Sequence, residues 1–216
     1  MKDGLERSNR FLDLPLDLGP RLFLVVAALL LLSTYGLPLW RVTLIGPEHP
    51  GGMHLFIHSS RIGGDPAAVE AANRLNRSIG MRELSTSDVR EFQWMPFGIG
   101  VLSLLLVRAA VLGRMSEVVD AFVLTVYFDL FSLWSFGYRL YRYGHDLSPD
   151  APIKVAPFMP PLFGRKDVAT WEVVSGPALG SYAMAAVAAL VAAAIGLAWR
   201  EAREQSRQEV RAALAG

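Results

Sequence analysis

Residues 95–113, MPFGIGVLSLLLVRAAVLG, and residues 118–138, VVDAFVLTVYFDLFSLWSFGY, are two apolar runs divided only by Gly113-Arg114-Met115-Ser116-Glu117. At 1.5 Å per residue each run is long enough to cross a hydrocarbon core of about 30 Å as a helix. Gly113 offers a helix stop and Ser116 a cap for the next helix, so the pair reads as an antiparallel transmembrane hairpin. Two further runs flank it. Leu22 to Trp40 has 19 residues and Pro177 to Trp199 has 23, all uncharged. The first continues through Tyr35 and Pro38, beyond the roughly 7 to 15 apolar residues of a secretory signal, and is read as a retained span. The last is alanine-rich, with Gly176, Gly180, Ala192 and Gly196 at four-residue intervals that permit close helix approach, which marks it as the packing helix.

Composition agrees with a membrane class. Of 216 residues, 52% are hydrophobic and 19% charged, the latter below the roughly 25% of a soluble domain. A net charge of +1 gives no global field to hold nucleic acid, which is excluded as a partner. The absence of cysteine removes disulfides, thiolate metal sites and a cysteine nucleophile. The fold class expected is mainly α: a polytopic membrane protein with four transmembrane helices and a small α+β periplasmic cap.

Four spans put both termini on one side. Residues 1–21, 108–117 and 200–216 carry 10 Lys or Arg in 48 positions, against 11 in the 90 positions of 41–94 and 139–174. The denser side should be cytoplasmic, placing the protein in a bacterial inner membrane with the lipid bilayer as its first partner. Trp40, Trp94, Trp134 and Trp171 then lie near outer span ends and Trp199 near an inner one, where amphipathic rings favour the interface. The expected order is therefore a cytoplasmic tail at 1–21, spans at 22–40, 95–113, 118–138 and 177–199, a periplasmic cap at 41–94, a proline-rich strap at 139–174, and a cytoplasmic tail at 200–216. The last tail alternates acids with arginines and extends span four as a solvated helix, with an anionic-lipid contact as the alternative.

The cap begins with two runs of strand type, 41–45 and 53–58, around a Gly/Pro-rich connection, which predicts a β-hairpin. Asp65-Pro66 opens an alanine-rich helix that Gly80 stops. Ser85 and Asp88 predict a capping box for a short helix leading into span two. Pro149, Pro152, Pro157, Pro160 and Pro161 make the second external segment an extended strap.

Every histidine, His49, His54, His58 and His145, falls in this external layer, as do Met53, Met81 and Met159, with Met95 at its boundary. Imidazole with thioether suits copper, and thioether suits Cu(I) especially; the alternative is surface histidines with packing methionines. His54 and His58 are four residues apart, which on a strand separates them by roughly 13 Å and prevents them from chelating one ion. Asp129 lies mid-span and should face the bundle interior, either as a proton or ion group or as a hydrogen-bonded helix contact to Thr125, Tyr127, Ser132 or Ser135. Arg108 and Asp120 suit snorkelling or an interhelical ion pair. No nucleophile elbow, Walker loop or dinucleotide fingerprint occurs, so the chain is not expected to be an enzyme.

Several strings together resemble a family of small four-span bacterial membrane proteins. They are Leu37-Pro38-Leu39-Trp40-Arg41-Val42-Thr43-Leu44-Ile45, residues 76–81, Met95-Pro96-Phe97, residues 143–155, and Pro160-Pro161-Leu162-Phe163-Gly164. The likeness covers roughly residues 35–182. It implies a setting among accessory proteins of NosL type that deliver copper to nitrous oxide reductase. Met81, Met95 and His145 lie in the matching strings and Met159 directly precedes one, while Arg77 stands where the family carries histidine. The expected metal residues are accordingly His145, Met81, Met95 and Met159, with copper as the expected metal and periplasmic copper proteins or other membrane subunits as partners. The expected function is membrane accessory protein in copper handling or metalloenzyme maturation. The alternative is a non-catalytic subunit of a larger respiratory or photosynthetic membrane complex.

Overall fold

The structure is a computed structural model that describes residues 11–47, 49–86, 89–168 and 170–215. It is mainly helical with one small sheet. In chain order the elements are α1 (Leu18–Ser33), β1 (Trp40–Gly46), β2 (His49–Ile57), β3 (Ile62–Gly64), α2 (Pro66–Ile79), α3 (Glu91–Leu112), α4 (Met115–His145), β4 (Gly164–Val168), β5 (Trp171–Pro177) and α5 (Leu179–Ala215). Three helices, α3, α4 and α5, are long and apolar enough to cross a membrane. The first apolar helix is shorter, 16 residues. It ends at Ser33 rather than continuing to Trp40, because Gly36 turns back onto the Ser33 carbonyl at 3.1 Å and Pro38 disfavours a helical residue before it. The chain forms two compact units.

The first unit takes residues 11–32, 98–129 and 184–215. Its helices bury single stripes: Leu24, Ala27, Ala28 and Leu31 on α1, Ile99, Leu102, Leu106 and Ala109 on α3, and Val187, Val191, Ala194 and Ala198 on α5. The three-and-four spacing of each set gives one packed face per helix, while Leu22, Leu104 and Val111 on other faces stay exposed, as lipid contact requires. In the α3–α4 turn Gly113 is left-handed at φ 64°, the stop expected of it, whereas Ser116 lies inside α4, which begins at Met115, and is not its cap. Residues beside that turn make two backbone bonds with the N-terminal segment, Leu16 N–H to Gly113 O at 2.8 Å and Met115 N–H to Leu14 O at 3.0 Å. Arg108 pairs with Glu117 at 2.9 Å rather than with Asp120. The arginine-rich tail continues α5, with Arg203 over the Trp199 ring at 4.0 Å.

The second unit, residues 33–97 and 130–183, holds a five-stranded antiparallel sheet in the order β3-β2-β1-β5-β4. The expected hairpin is β1–β2, with Val42 opposite Leu55 and Leu44 opposite Met53. Alternation then places Leu44, Met53 and Leu55 on one face, where Ala68, Ala71 and Ala72 of α2 cover them. The alanines let helix and sheet approach closely. Gly80 stops α2 in the left-handed region at φ 79°, as its position implies. Asp65 occupies the N-cap position without capping; its carboxylate accepts the His54 N–H at 3.3 Å instead, tying helix start to strand. Asp88, part of the expected capping box, lies outside the described residues. The expected strap differs most: residues 139–145 extend α4, the irregular stretch is 146–163, and a second hairpin, β4–β5, follows it. Trp40 is not at the surface. It is buried, donates to Ser175 Oγ at 2.8 Å and packs against Phe136 and Phe163. Of the small-residue series, only Gly180 makes a close approach, since a Cβ there would overlap the Pro38 carbonyl; Gly176 and Gly196 face open space.

Candidate functional site

The start of α3 and the end of α4 enclose, with the connection after α2, a cleft of about 620 Å³ within the second unit. Four arginines line it, Arg82, Arg90, Arg139 and Arg142, against two carboxylates, Glu91 and Asp146. Glu91 is the anchor. It accepts the Ser135 hydroxyl at 2.6 Å on one oxygen and pairs with Arg139 on the other. The Glu91 and Arg139 side chains are 14% and 22% exposed, so the pair is partly desolvated and loss of Arg139 leaves the Glu91 carboxylate without its cation. Asp146 is shared by Arg142 at 2.9 Å, one helical turn earlier, and Arg82 at 3.7 Å. Arg90 is exposed and enters no ion pair among the described residues. Among the described residues that line the cleft, cations outnumber carboxylates by two, a surplus that draws anions.

Tyr138 lines this cleft and ends a row of aromatic rings on α3 and α4. Trp94 packs on Phe131 with centroids 5.2 Å apart, Phe131 on Trp134 at 5.7 Å, and Trp134 stacks on Tyr138 at 5.7 Å and 11°. Amphipathic rings of this kind favour the boundary between acyl chains and water. Both charged rims follow the apolar segments directly, Glu91 before Met95 and Arg139 after Tyr138.

Of the residues expected to bind metal, Met81 and His145 are chain neighbours of the cleft residues Arg82 and Asp146. His145 is exposed, stacks on Tyr141 at 3.8 Å and directs Nδ1 to the Tyr141 carbonyl at 2.9 Å. With a proton on Nδ1 donated to that carbonyl, Nε2 is the ring nitrogen left for a ligand bond. Met81 is half-buried, Met95 buried and Met159 exposed. The segments carrying Met81 and His145 are joined by the Arg82–Asp146 pair and by bonds from Ser148 N–H to Gly80 O and Ile153 N–H to Ser78 O, at 2.8 and 2.9 Å. Among the described residues, no group of three or more His, Asp or Glu is placed to hold a metal ion.

His54 stands on β2 opposite Thr43 and meets its hydroxyl at 3.0 Å. His58 follows the strand, so the pair spans extended backbone as expected. Burial, followed by the cationic Arg61, holds the His58 imidazole below its ordinary value. Asp129 is half-buried on α4. Of the neighbours expected near it, Thr125 donates to Ala121 O, Ser135 donates to Glu91, Ser132 Oγ is buried with no hydrogen-bond partner among the described residues, and Tyr127 is 69% exposed. The arginine cleft itself was not foreseen. Its signal in the sequence is the Arg139, Arg142, Asp146 spacing of three and four, which places all three on one helix face.

No family model, curated protein or solved structure matches the chain.

Proposed function

We propose that the chain is a membrane accessory protein, anchored by its apolar helices and engaging a second protein through its extramembrane layer. The partner is a periplasmic copper protein or a subunit of a larger respiratory or photosynthetic membrane complex. The observation that supports this most is the stretch 146–163. It displays Ile153, Met159 and Phe163 with exposures of 47%, 39% and 59%, yet its backbone is held by bonds to Ser78, Gly80 and Gly144. Large apolar side chains on a fixed segment outside the spans suit a protein surface better than water. In this reading α1 is the fourth span. Its 16 residues cover about 24 Å, and local thinning or flanking polar groups accommodate the shortfall. The protein then lies in the bacterial inner membrane with both termini cytoplasmic and the sheet periplasmic. Native membranes solubilised in mild detergent provide the test: the wild type should run in a complex larger than itself, and an Ile153→Asp, Phe163→Asp variant should run alone. A wild type that also runs alone would reject the reading.

Copper is the proposed cargo within this function, and its support is the resemblance together with the donor types. His145, Met81, Met95 and Met159 would supply one imidazole and soft thioethers, a set that holds Cu(I) yet releases it to a tighter acceptor. Competition with a Cu(I) chelator tests it: a His145→Ala, Met159→Leu variant should lose copper that the wild type retains. Equal retention would reject these ligands.

A further inference from the structure

We propose that the arginine cleft holds the headgroup phosphate of an anionic phospholipid, whose acyl chains run along the exposed face of α4. The first support is charge. Four guanidiniums stand against two carboxylates, and Arg90 has no ion-pair partner among the described residues. A guanidinium carries five N–H donors in a planar fork that matches two phosphate oxygens, and Arg142 spends only Nε and one Nη on Asp146. Its remaining donors are available to a ligand.

The second support is the order of residues along one helix face. Leu130, Trp134, Tyr138 and Arg142 follow at four-residue intervals, so they form a single stripe on α4. The first three are 60%, 62% and 53% exposed, and the Arg142 side chain is 52% exposed. An aliphatic side chain, two ring systems that favour the interface and then a cation reproduce the polarity sequence of a lipid from acyl chain to headgroup. A water-soluble anion has no use for the exposed apolar part of that stripe. The cleft volume, about 620 Å³, lies within the range of roughly 300 to 1,000 Å³ typical of small-molecule sites. Asp146 and Glu91 fix the arginines before the lipid arrives: Glu91 orients Arg139 with Ser135 as a second donor, and Asp146 holds Arg82 and Arg142 together. Pre-ordered cations lose less conformational entropy on binding than free ones.

The experiment uses the full chain, delipidated in neutral detergent and offered phosphatidylglycerol or phosphatidylcholine at equal concentration, with bound lipid counted by native mass spectrometry. Wild type should retain phosphatidylglycerol in preference to phosphatidylcholine. Arg90→Gln should lower that retention about fivefold and Arg90→Gln with Arg142→Gln about 25-fold, because each cation near the surface contributes a factor of about five. Arg74→Gln, on α2 outside the cleft, should leave retention unchanged. Arg90 has no ion pair among the described residues, so the single variant should keep the wild-type unfolding temperature and remain readable even if the double variant does not fold. Equal retention of the two lipids, or undiminished retention by Arg90→Gln, would overturn the proposal. Displacement of phosphatidylglycerol by excess inorganic phosphate would also overturn it, showing a site for the free anion rather than for the lipid.

Discussion

At the scale of single residues, the Glu91–Arg139 pair bears most directly on the cleft. Replacing Arg139 by Gln leaves a largely buried carboxylate with Ser135 as its polar contact, at a cost of about 3 to 5 kcal/mol. Thermal unfolding of Arg139→Gln should therefore fall well below wild type, whereas Arg165→Gln, whose side chain is 75% exposed in its pair with Glu172, should change stability by less than about 1 kcal/mol. His58 gives a pH dependence of defined sign. Its imidazole is held below the ordinary value in the folded protein, so the unfolded chain takes up the proton more readily. The stability it contributes is present above about pH 6.5 and is lost as pH falls toward the lower folded value. Unfolding between pH 7.5 and 5 should show this loss, and His58→Gln should lessen it. Asp129→Asn should keep expression and folding if the side chain only hydrogen-bonds. Loss of function at unchanged expression would instead assign it proton or ion chemistry, a carboxylate inside an apolar helix being costly to retain without use.

At the scale of elements, α2 was legible because its signals are local and mutually consistent: Asp65-Pro66 at the start, small apolar residues at helical spacing and Gly80 at the end. Its alanines are also the vulnerable point. Ala71 is 2% exposed against the sheet, so Ala71→Leu should overpack that layer and cost about 1 to 3 kcal/mol, read as a lowered unfolding temperature. The β4–β5 hairpin was not legible. Arg165-Lys166-Asp167 lacks the apolar alternation of a strand, because β4 is an edge strand with exposed side chains, and charge there discourages pairing with other chains. Its partner, β5, runs into an apolar helix, so alternation merges with hydropathy. The end of α1 was misplaced for a different reason: hydropathy continues through Leu37 and Leu39, while the helix is decided by the Gly36 turn and Pro38. Similarly, four-residue spacing of small residues on α5 is a pattern without direction, and the buried face proved to be the Val187, Val191, Ala194, Ala198 stripe.

At the scale of the whole molecule, the runs that become α3, α4 and α5, three helices long and apolar enough to cross a membrane, were legible because length and hydropathy depend on nothing beyond the chain itself. The cleft depends on partners 48 positions apart, Glu91 and Arg139, and on Asp146 meeting Arg82 across a loop, so sequence proximity gave no access to it. The arginines were counted only as sparse external charge, whereas folding gathers four of them in one place. The central proposal is an accessory protein with its sheet layer on the periplasmic side and its α5 tail in the cytoplasm. The natural chain has no cysteine, so one introduced cysteine gives a unique label. Lys166→Cys on β4 and Arg207→Cys on the α5 tail both place it at an exposed position. With a membrane-impermeant maleimide applied after outer-membrane permeabilisation, Lys166→Cys should label in cells with an intact inner membrane, and Arg207→Cys only after the inner membrane is opened; labelling of Arg207→Cys in intact cells, or protection of Lys166→Cys, would contradict the account.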